Sequence, residues 1–152
     1  MSVLGEIGAD SGTSSPTTSV SILIVDDNSA KRSALKSALH PLGHHLVEAE
    51  SGFAALRCLL REDFAIILLD LRMPIMDGFE TAALIRKRPR SARTPIIFIT
   101  AYGRDEVTAT DFHSDDAVGF LYAPVVPDQL RATIAMFASP SREPVGLTPR
   151  TP

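Results

Sequence analysis

Three short apolar runs, each unbroken by charge and each closing on an oxygen-bearing side chain, constrain this chain most. Residues 22–25 (ILIV) run into Asp26 and Asp27, residues 64–69 (FAIILL) into Asp70, and residues 96–99 (IIFI) into Thr100. A strand with no polar alternation is buried on both faces, as in a parallel sheet with helices on either side. Two weaker segments, 44–49 and 118–121, read as further strands. Helical patterns fill the gaps. Ser29 is placed to cap a first helix in which Ala30, Ala34, Leu35, Ala38 and Leu39 share a face, and Gly43 stops it. Ser51 opens a second helix with Ala55, Leu56, Leu59 and Leu60 on its inner stripe. A Pro-Gly loop at 71–78 leads to a helix at 79–88, and a weak helix is expected at 104–113. Pro127 suits the first turn of a last helix, with Leu130, Thr133, Ile134 and Phe137 facing inward.

Strands alternating with helices predict an α/β fold, a doubly wound five-stranded parallel sheet with helices on both faces. Ligands bind such sheets beyond the carboxyl ends of the strands, where the strand order reverses. In the flavodoxin-like order 2-1-3-4-5, strands one and three meet at that point. Asp26, Asp27 and Asp70 then converge, with Thr100 on the next strand end. One strand-end aspartate is readily explained as a cap. Three on adjacent ends, beside a threonine, call for another reason to sit together. Their mutual repulsion is relieved by a divalent cation, and a small set of hard oxygen ligands with room for water and phosphate suits Mg²⁺. Such a site holds a phosphodonor while a carboxylate attacks phosphorus.

The runs LIVDDN (23–28), LLDLRMPIMDG (68–78) and PIIFITA (95–101) resemble response-regulator receiver domains of two-component systems, in sequence and in spacing. The resemblance covers residues 21–137. The segment MDGFETAALIR and the Pro-Val-Val-Pro stretch at 124–127 are similar to receivers attached to hybrid histidine kinases. The resemblance implies that Asp70 is the phosphoacceptor, Asp27 a direct Mg²⁺ ligand and Asp26 its neighbour acting through water. It implies that the backbone carbonyl of Arg72 is the third protein ligand. Thr100 and Phe120 take the positions of the switch residues, and Met73, Pro74 and Gly78 shape the adjacent loop. The implied donor is a histidine kinase or a histidine phosphotransfer protein. The domain then assists gain and loss of its own phosphoryl group and is not an enzyme acting on a separate substrate.

One departure stands out. The family places a lysine before the proline that follows strand five, and here that residue is Ala123. The site loses a cation, and Arg72 and Arg104 are the expected partial substitutes. The residue pair before strand five, usually Gly-Ala, is Asp116-Ala117, a change that aspartate tolerates in a left-handed backbone. Two function classes follow. One is a phosphorylated switch. The other is a degenerate receiver that binds proteins without regulated phosphorylation. An aspartyl phosphatase is set aside, because Arg72 stands where such enzymes usually carry a second aspartate.

The remaining features bound the answer. Residues 21–138 form one receiver domain between expected flexible tails at 1–20, rich in Gly, Ser and Thr, and 139–152, with four prolines. Neither tail has room for an output domain, so output runs through partners or a larger protein. The net charge of −3 argues against direct nucleic-acid binding, and no apolar run reaches the length of a membrane span. Glu6 and Asp10 stand where a signal peptide would be basic and then apolar. A single cysteine, Cys58, suits a reducing, cytoplasmic setting and reads as a packed thiol. His44 and His45 fall on opposite faces of a strand, and His40 and His113 stand alone, so no histidine metal site is expected. Arg86, Lys87, Arg88, Arg90 and Arg93 read as a solvated helix end and loop, with docking of an acidic partner as the alternative.

Overall fold

A computed structural model of the chain describes residues 19–101 and 118–138. Both expected tails, apart from Ser19 and Val20, lie outside these residues. So do the expected helix at 104–113, Arg104, His113 and the Asp116-Ala117 pair. Five strands, β1 (Ser21–Val25), β2 (His45–Ala49), β3 (Ile66–Asp70), β4 (Ile96–Thr100) and β5 (Val118–Tyr122), form one sheet. Its order is β2-β1-β3-β4-β5 and every pairing is parallel, which is the predicted doubly wound arrangement. The described helices are α1 (Ser29–Leu39), α2 (Gly52–Arg61), α3 (Gly78–Lys87) and α4 (Pro127–Ala138).

The three central strands are buried because their side chains alternate between two apolar layers. Leu23, Val25, Ile67, Leu69, Ile96 and Phe98 meet Ala55 and Leu59 of α2 and Ala82 and Ile85 of α3. Ile22, Ile24, Ile66, Leu68, Ile97 and Ile99 meet Leu35 and Leu39 of α1 and Leu130 and Ile134 of α4. Each of the Val, Leu, Ile and Phe side chains among them contributes about 1.5–3 kcal/mol when removed from water. The register pairs Val25 with Leu69 and Asp70 with Ile99, so β1, β3 and β4 end nearly level.

Several local expectations shift. Asn28, not Ser29, caps α1: its backbone is extended and its side chain accepts the Lys31 N–H at 2.9 Å, while Ser29 is already helical. Gly43, at φ +77°, closes the chain only after a 3-10 turn at His40–Leu42. Ser51 caps α2 as expected, by accepting the Ala54 N–H at 3.0 Å. The buried stripe of α1 narrows to Leu35 and Leu39, with Ala38 partly buried, and Ala30 and Ala34 face solvent. Leu60 is 72% exposed, because the inner line of α2 runs through Gly52, Ala55 and Leu59. Strand β3 starts at Ile66, two residues later than expected, although Phe64 is buried. In α4, Leu130 and Ile134 are buried, whereas Thr133 and Phe137 are only partly covered. No helix among the described residues is long and apolar enough to cross a membrane.

Candidate functional site

Strand β1 carries the chain to Asp26, whose N–H still pairs with the Ala49 carbonyl at 3.1 Å and whose side chain is buried. Asp27 turns outward and is exposed. Asp70, the last residue of β3, is 5% exposed. One carboxylate oxygen from each of Asp26, Asp27 and Asp70 lies within 4.8 Å of the others. The three aspartates singled out by the sequence therefore come together at the carboxyl edge of the sheet.

Their hydrogen bonding is uneven. Asp26 Oδ1 accepts the Asn28 N–H at 2.9 Å, which ties it to the cap of α1. Asp70 Oδ1 accepts only a long bond of 3.4 Å from the Arg72 N–H. Asp70 Oδ2 is buried with no hydrogen-bond partner. A buried anionic oxygen without a donor carries a desolvation cost that a cation in contact would relieve. Burial, and then the charge of Asp26, push the Asp70 carboxyl up to about 6. Burial also raises the Asp26 carboxyl, against the opposing effect of its Asn28 bond. Hard carboxylate oxygens, one of them unpartnered, fit a Mg²⁺-type cation by their chemistry.

A cation that the sequence reading did not single out stands beside these carboxylates. Lys31 Nζ lies 3.6 Å from Asp26 Oδ2 and 3.7 Å from Asp70 Oδ2. Lys31 stands four residues before Leu35 and eight before Leu39, so it extends the buried stripe of α1 past the end of the sheet. That spacing was the available signal. Arg72, expected as a substitute cation, is exposed and approaches Asp70 through its backbone N–H.

The other flank is built from β4 and β5. Thr100 ends β4, is buried, and pairs with Tyr122. The Ala123 N–H donates to the Thr100 carbonyl at 2.7 Å, which places Ala123 beside the site on an exposed edge. Phe120 is partly buried in an aromatic row. Its ring stacks on Phe98 at 5.2 Å and Tyr122 at 6.4 Å, and Phe98 meets Phe79 at 5.1 Å. The loop after β3 bends back tightly: the Gly78 N–H bonds the Leu71 carbonyl at 2.9 Å. A Cβ on Gly78 would stand 2.5 Å from the Asp70 carbonyl oxygen, so this approach requires glycine. Leu71, Arg72, Met73, Pro74, Asp77 and Phe79 line a cleft at this loop.

Other sequence candidates have structural roles. His44 precedes β2, where its Nδ1 accepts the Val20 N–H. His45 lies 3.8 Å from Glu62. Cys58 packs partly buried against the α2–α3 layer. Arg86 bonds the carbonyls of Ser91 and Thr94, Arg88 that of Leu59, and Arg90 the Asp63 carboxylate. Arg86, Arg88 and Arg90 of the basic cluster thus fasten α3 and its following loop.

The sequence profile described as the response regulator receiver domain matches residues 22–135. The chain is 36% identical over 117 residues to the response regulator protein FleR of Pseudomonas aeruginosa, covering 77% of this chain and 24% of FleR. It is 36% identical over 105 residues to the transcriptional regulatory protein SrrA of Staphylococcus aureus, covering 68% of this chain and 42% of that protein. It therefore spans well under half the length of either relative. Among solved structures, chemotaxis protein CheY4 of Vibrio cholerae matches with a TM-score of 0.72 and 28% identity, over 79% of this chain and 99% of that one. The receiver domain of the sensor histidine kinase PA1611 from Pseudomonas aeruginosa matches at 0.66 and 25%, over 80% and 98%. That domain holds a magnesium ion in its active site cleft. With the sheet order, the strand-end aspartates and the matched span in agreement, this chain belongs to the response regulator receiver domain family.

Proposed function

We propose that this chain receives a phosphoryl group on Asp70 and passes the signal on by changing its contacts with partners. The observation that carries this reading is the buried Asp70 carboxylate, whose Oδ2 lacks a hydrogen-bond donor inside a three-carboxylate cluster. Asp27, Asp70 and the backbone carbonyl of Arg72 are the groups to hold Mg²⁺, with Asp26 acting through water. The magnesium reported in the PA1611 receiver supports that assignment. Bound there, the ion neutralises the carboxylates and gathers phosphate oxygens.

Asp70 is the nucleophile. One of its oxygens bonds to phosphorus as the bond from phosphorus to the donor breaks, and the leaving group keeps the electron pair. With a phosphohistidine donor the leaving group is the imidazole nitrogen of a histidine kinase or a histidine phosphotransfer protein. The product is an acyl phosphate, and its hydrolysis resets the domain. Thr100, one strand over, is the hydroxyl that meets the phosphoryl group, and Phe120 is the aromatic residue that responds. The domain promotes these steps on itself in the cytoplasm, and a partner or an attached domain delivers the output.

Treatment with acetyl phosphate and Mg²⁺ should add one base-labile phosphoryl group, read by intact mass spectrometry, and Asp70→Asn should abolish it. Undiminished labelling of Asp70→Asn would move the site elsewhere. A second reading, a protein-binding module without regulated phosphorylation, draws on the uncharged Ala123. It becomes the better account if neither acetyl phosphate nor a phosphohistidine donor labels the parent.

A further inference from the structure

We propose that Lys31 of α1 supplies the cation that meets the phosphoryl oxygens on Asp70, from the β1 side of the site. This rests on the phosphoacceptor reading of Asp70 and adds a residue to it. Among the described residues, charge is unevenly placed around Asp70. At the end of β4 and β5 stand Thr100 and Ala123, neither of which carries a charge. On the opposite side, Lys31 Nζ hangs over the gap between Asp26 and Asp70, 3.6 and 3.7 Å from their Oδ2 atoms.

Those distances matter. They are longer than the roughly 2.7–2.9 Å of a direct charge-assisted hydrogen bond. Lys31 is thus near both carboxylates without bonding closely to either. Its target Asp70 Oδ2 is buried and has no hydrogen-bond donor, while the Lys31 side chain is 55% exposed. A long stem anchored at its backbone and open along its length can follow the oxygen outward as Asp70 becomes an acyl phosphate. The anchor is firm, because the Lys31 N–H is the bond that caps α1 onto Asn28.

The chemistry calls for such a group. In phosphoryl transfer the three non-bridging oxygens carry the charge while the bonds to donor and nucleophile exchange. A preplaced ammonium stabilises that charge without reorganising solvent. Lys31 keeps its proton throughout and accepts no bond. It donates N–H bonds to a phosphoryl oxygen, and the electron pair of the broken bond leaves with the donor. Arg32, the neighbouring cation, is committed elsewhere, to the Asp26 carbonyl at 2.7 Å and Glu48 at 2.8 Å.

The competing account is that Lys31 only offsets the repulsion among the aspartates and is displaced when Mg²⁺ binds. The variants Lys31→Met and Lys31→Arg separate the two. Methionine forms helix well and keeps the capping N–H, so the fold is retained. Two quantities are measured at saturating Mg²⁺: the acetyl phosphate labelling rate and the affinity for beryllofluoride, a phosphoryl mimic that needs no bond-breaking. The proposal expects Lys31→Met to lower both by at least about 10-fold, the lower end of what one hydrogen bond to a charged group contributes. Lys31→Arg should retain part of each, and Ala123→Lys in the Lys31→Met background should restore labelling. If the parent is labelled and Lys31→Met matches or exceeds it in rate and beryllofluoride affinity, Lys31 is only a charge balance and the proposal is wrong. If no phosphodonor labels the parent, the phosphoacceptor reading itself fails and takes this one with it.

Discussion

The two flanks of Asp70 are built from different materials. On the β1 side stand three cations of α1, two of them fastened by close hydrogen bonds. Arg32 bonds the Asp26 carbonyl and Glu48, Lys36 bonds Glu48 at 2.8 Å, and Lys31 reaches the aspartates. Helix α1 is thereby tied to the ends of β1 and β2. On the β5 side the site is bounded by Thr100, the uncharged Ala123, and the aromatic row of Phe98, Phe120 and Tyr122. Rows of stacked rings transmit small displacements by packing, whereas charges hold ions and phosphate. On the proposed reading, holding a phosphoryl group and responding to it fall to separate sides of one carboxylate. Position 123 itself brings no cation to the β5 end of the site.

Placing a cation on the uncharged flank is the strongest way to break this division. Ala123→Lys should speed labelling of Asp70 by about 10-fold, the lower end of what one hydrogen bond to a charged group contributes. It should also enlarge the spectral changes of β4 and β5 on beryllofluoride treatment. Equal rates and equal spectral responses in parent and variant would mean that position 123 does not limit this site.

A metal probes the charged flank alone. Mg²⁺ at about ten times its dissociation constant should stabilise the fold by about 1.4 kcal/mol, since the unfolded chain has no assembled site. Melting curves with and without Mg²⁺ should show that gain in the parent and not in Asp27→Ala. An equal gain in both proteins rejects the metal site at these carboxylates.

Protons offer a gentler handle on the same flank. A carboxyl raised from 3.8 to about 6 binds its proton more tightly in the folded state. Metal-free stability should therefore fall as pH rises between those values, and level off above. His44 acts oppositely: burial lowers its imidazole, so its contribution is lost as pH falls below 6.5. It is present in both the parent and Asp70→Asn, so the difference between their melting temperatures isolates Asp70. In chelator, the parent should gain on Asp70→Asn as pH falls from 7 to 5, and a constant difference would contradict a carboxyl raised by burial.

The smallest effect belongs to the tie between α1 and β2. Arg32 and Lys36 hold Glu48 below its ordinary range, so its stabilisation is present above about 4.5 and fades at lower pH. Glu48→Gln should cost no more than about 1 kcal/mol at neutral pH by chemical denaturation, as partly exposed pairs do. A larger loss would show that the charged flank is a stability device as well as a binding one.

The architecture and the identity of the strand-end groups are legible in the residue order alone. Unbroken apolar runs such as ILIV and IILL can only be buried on both faces, and the parallel order then brings Asp26, Asp27 and Asp70 to one edge. Gly78 was legible as a loop residue, though not its 2.5 Å conflict with the Asp70 carbonyl. Local details slipped where neighbouring residues compete. Asn28 and Ser29 are both capping types, and the extended backbone at position 28 decided between them. Ala30 and Ala34 share a helical face with Leu35 in outline, yet the sheet covers only the line through Leu35 and Leu39. The cation facing Asp70 was the larger miss. Periodicity gives the angle of Lys31 around α1 and places it on the line of buried leucines. It does not give the tilt of that helix against the strand ends, and those few ångströms decide whether an ammonium on a flexible stem meets a carboxylate. That distance is set by how Leu35 and Leu39 seat α1 on the sheet and by the Arg32 bonds that lock it, so only the tertiary structure put Lys31 at Asp70.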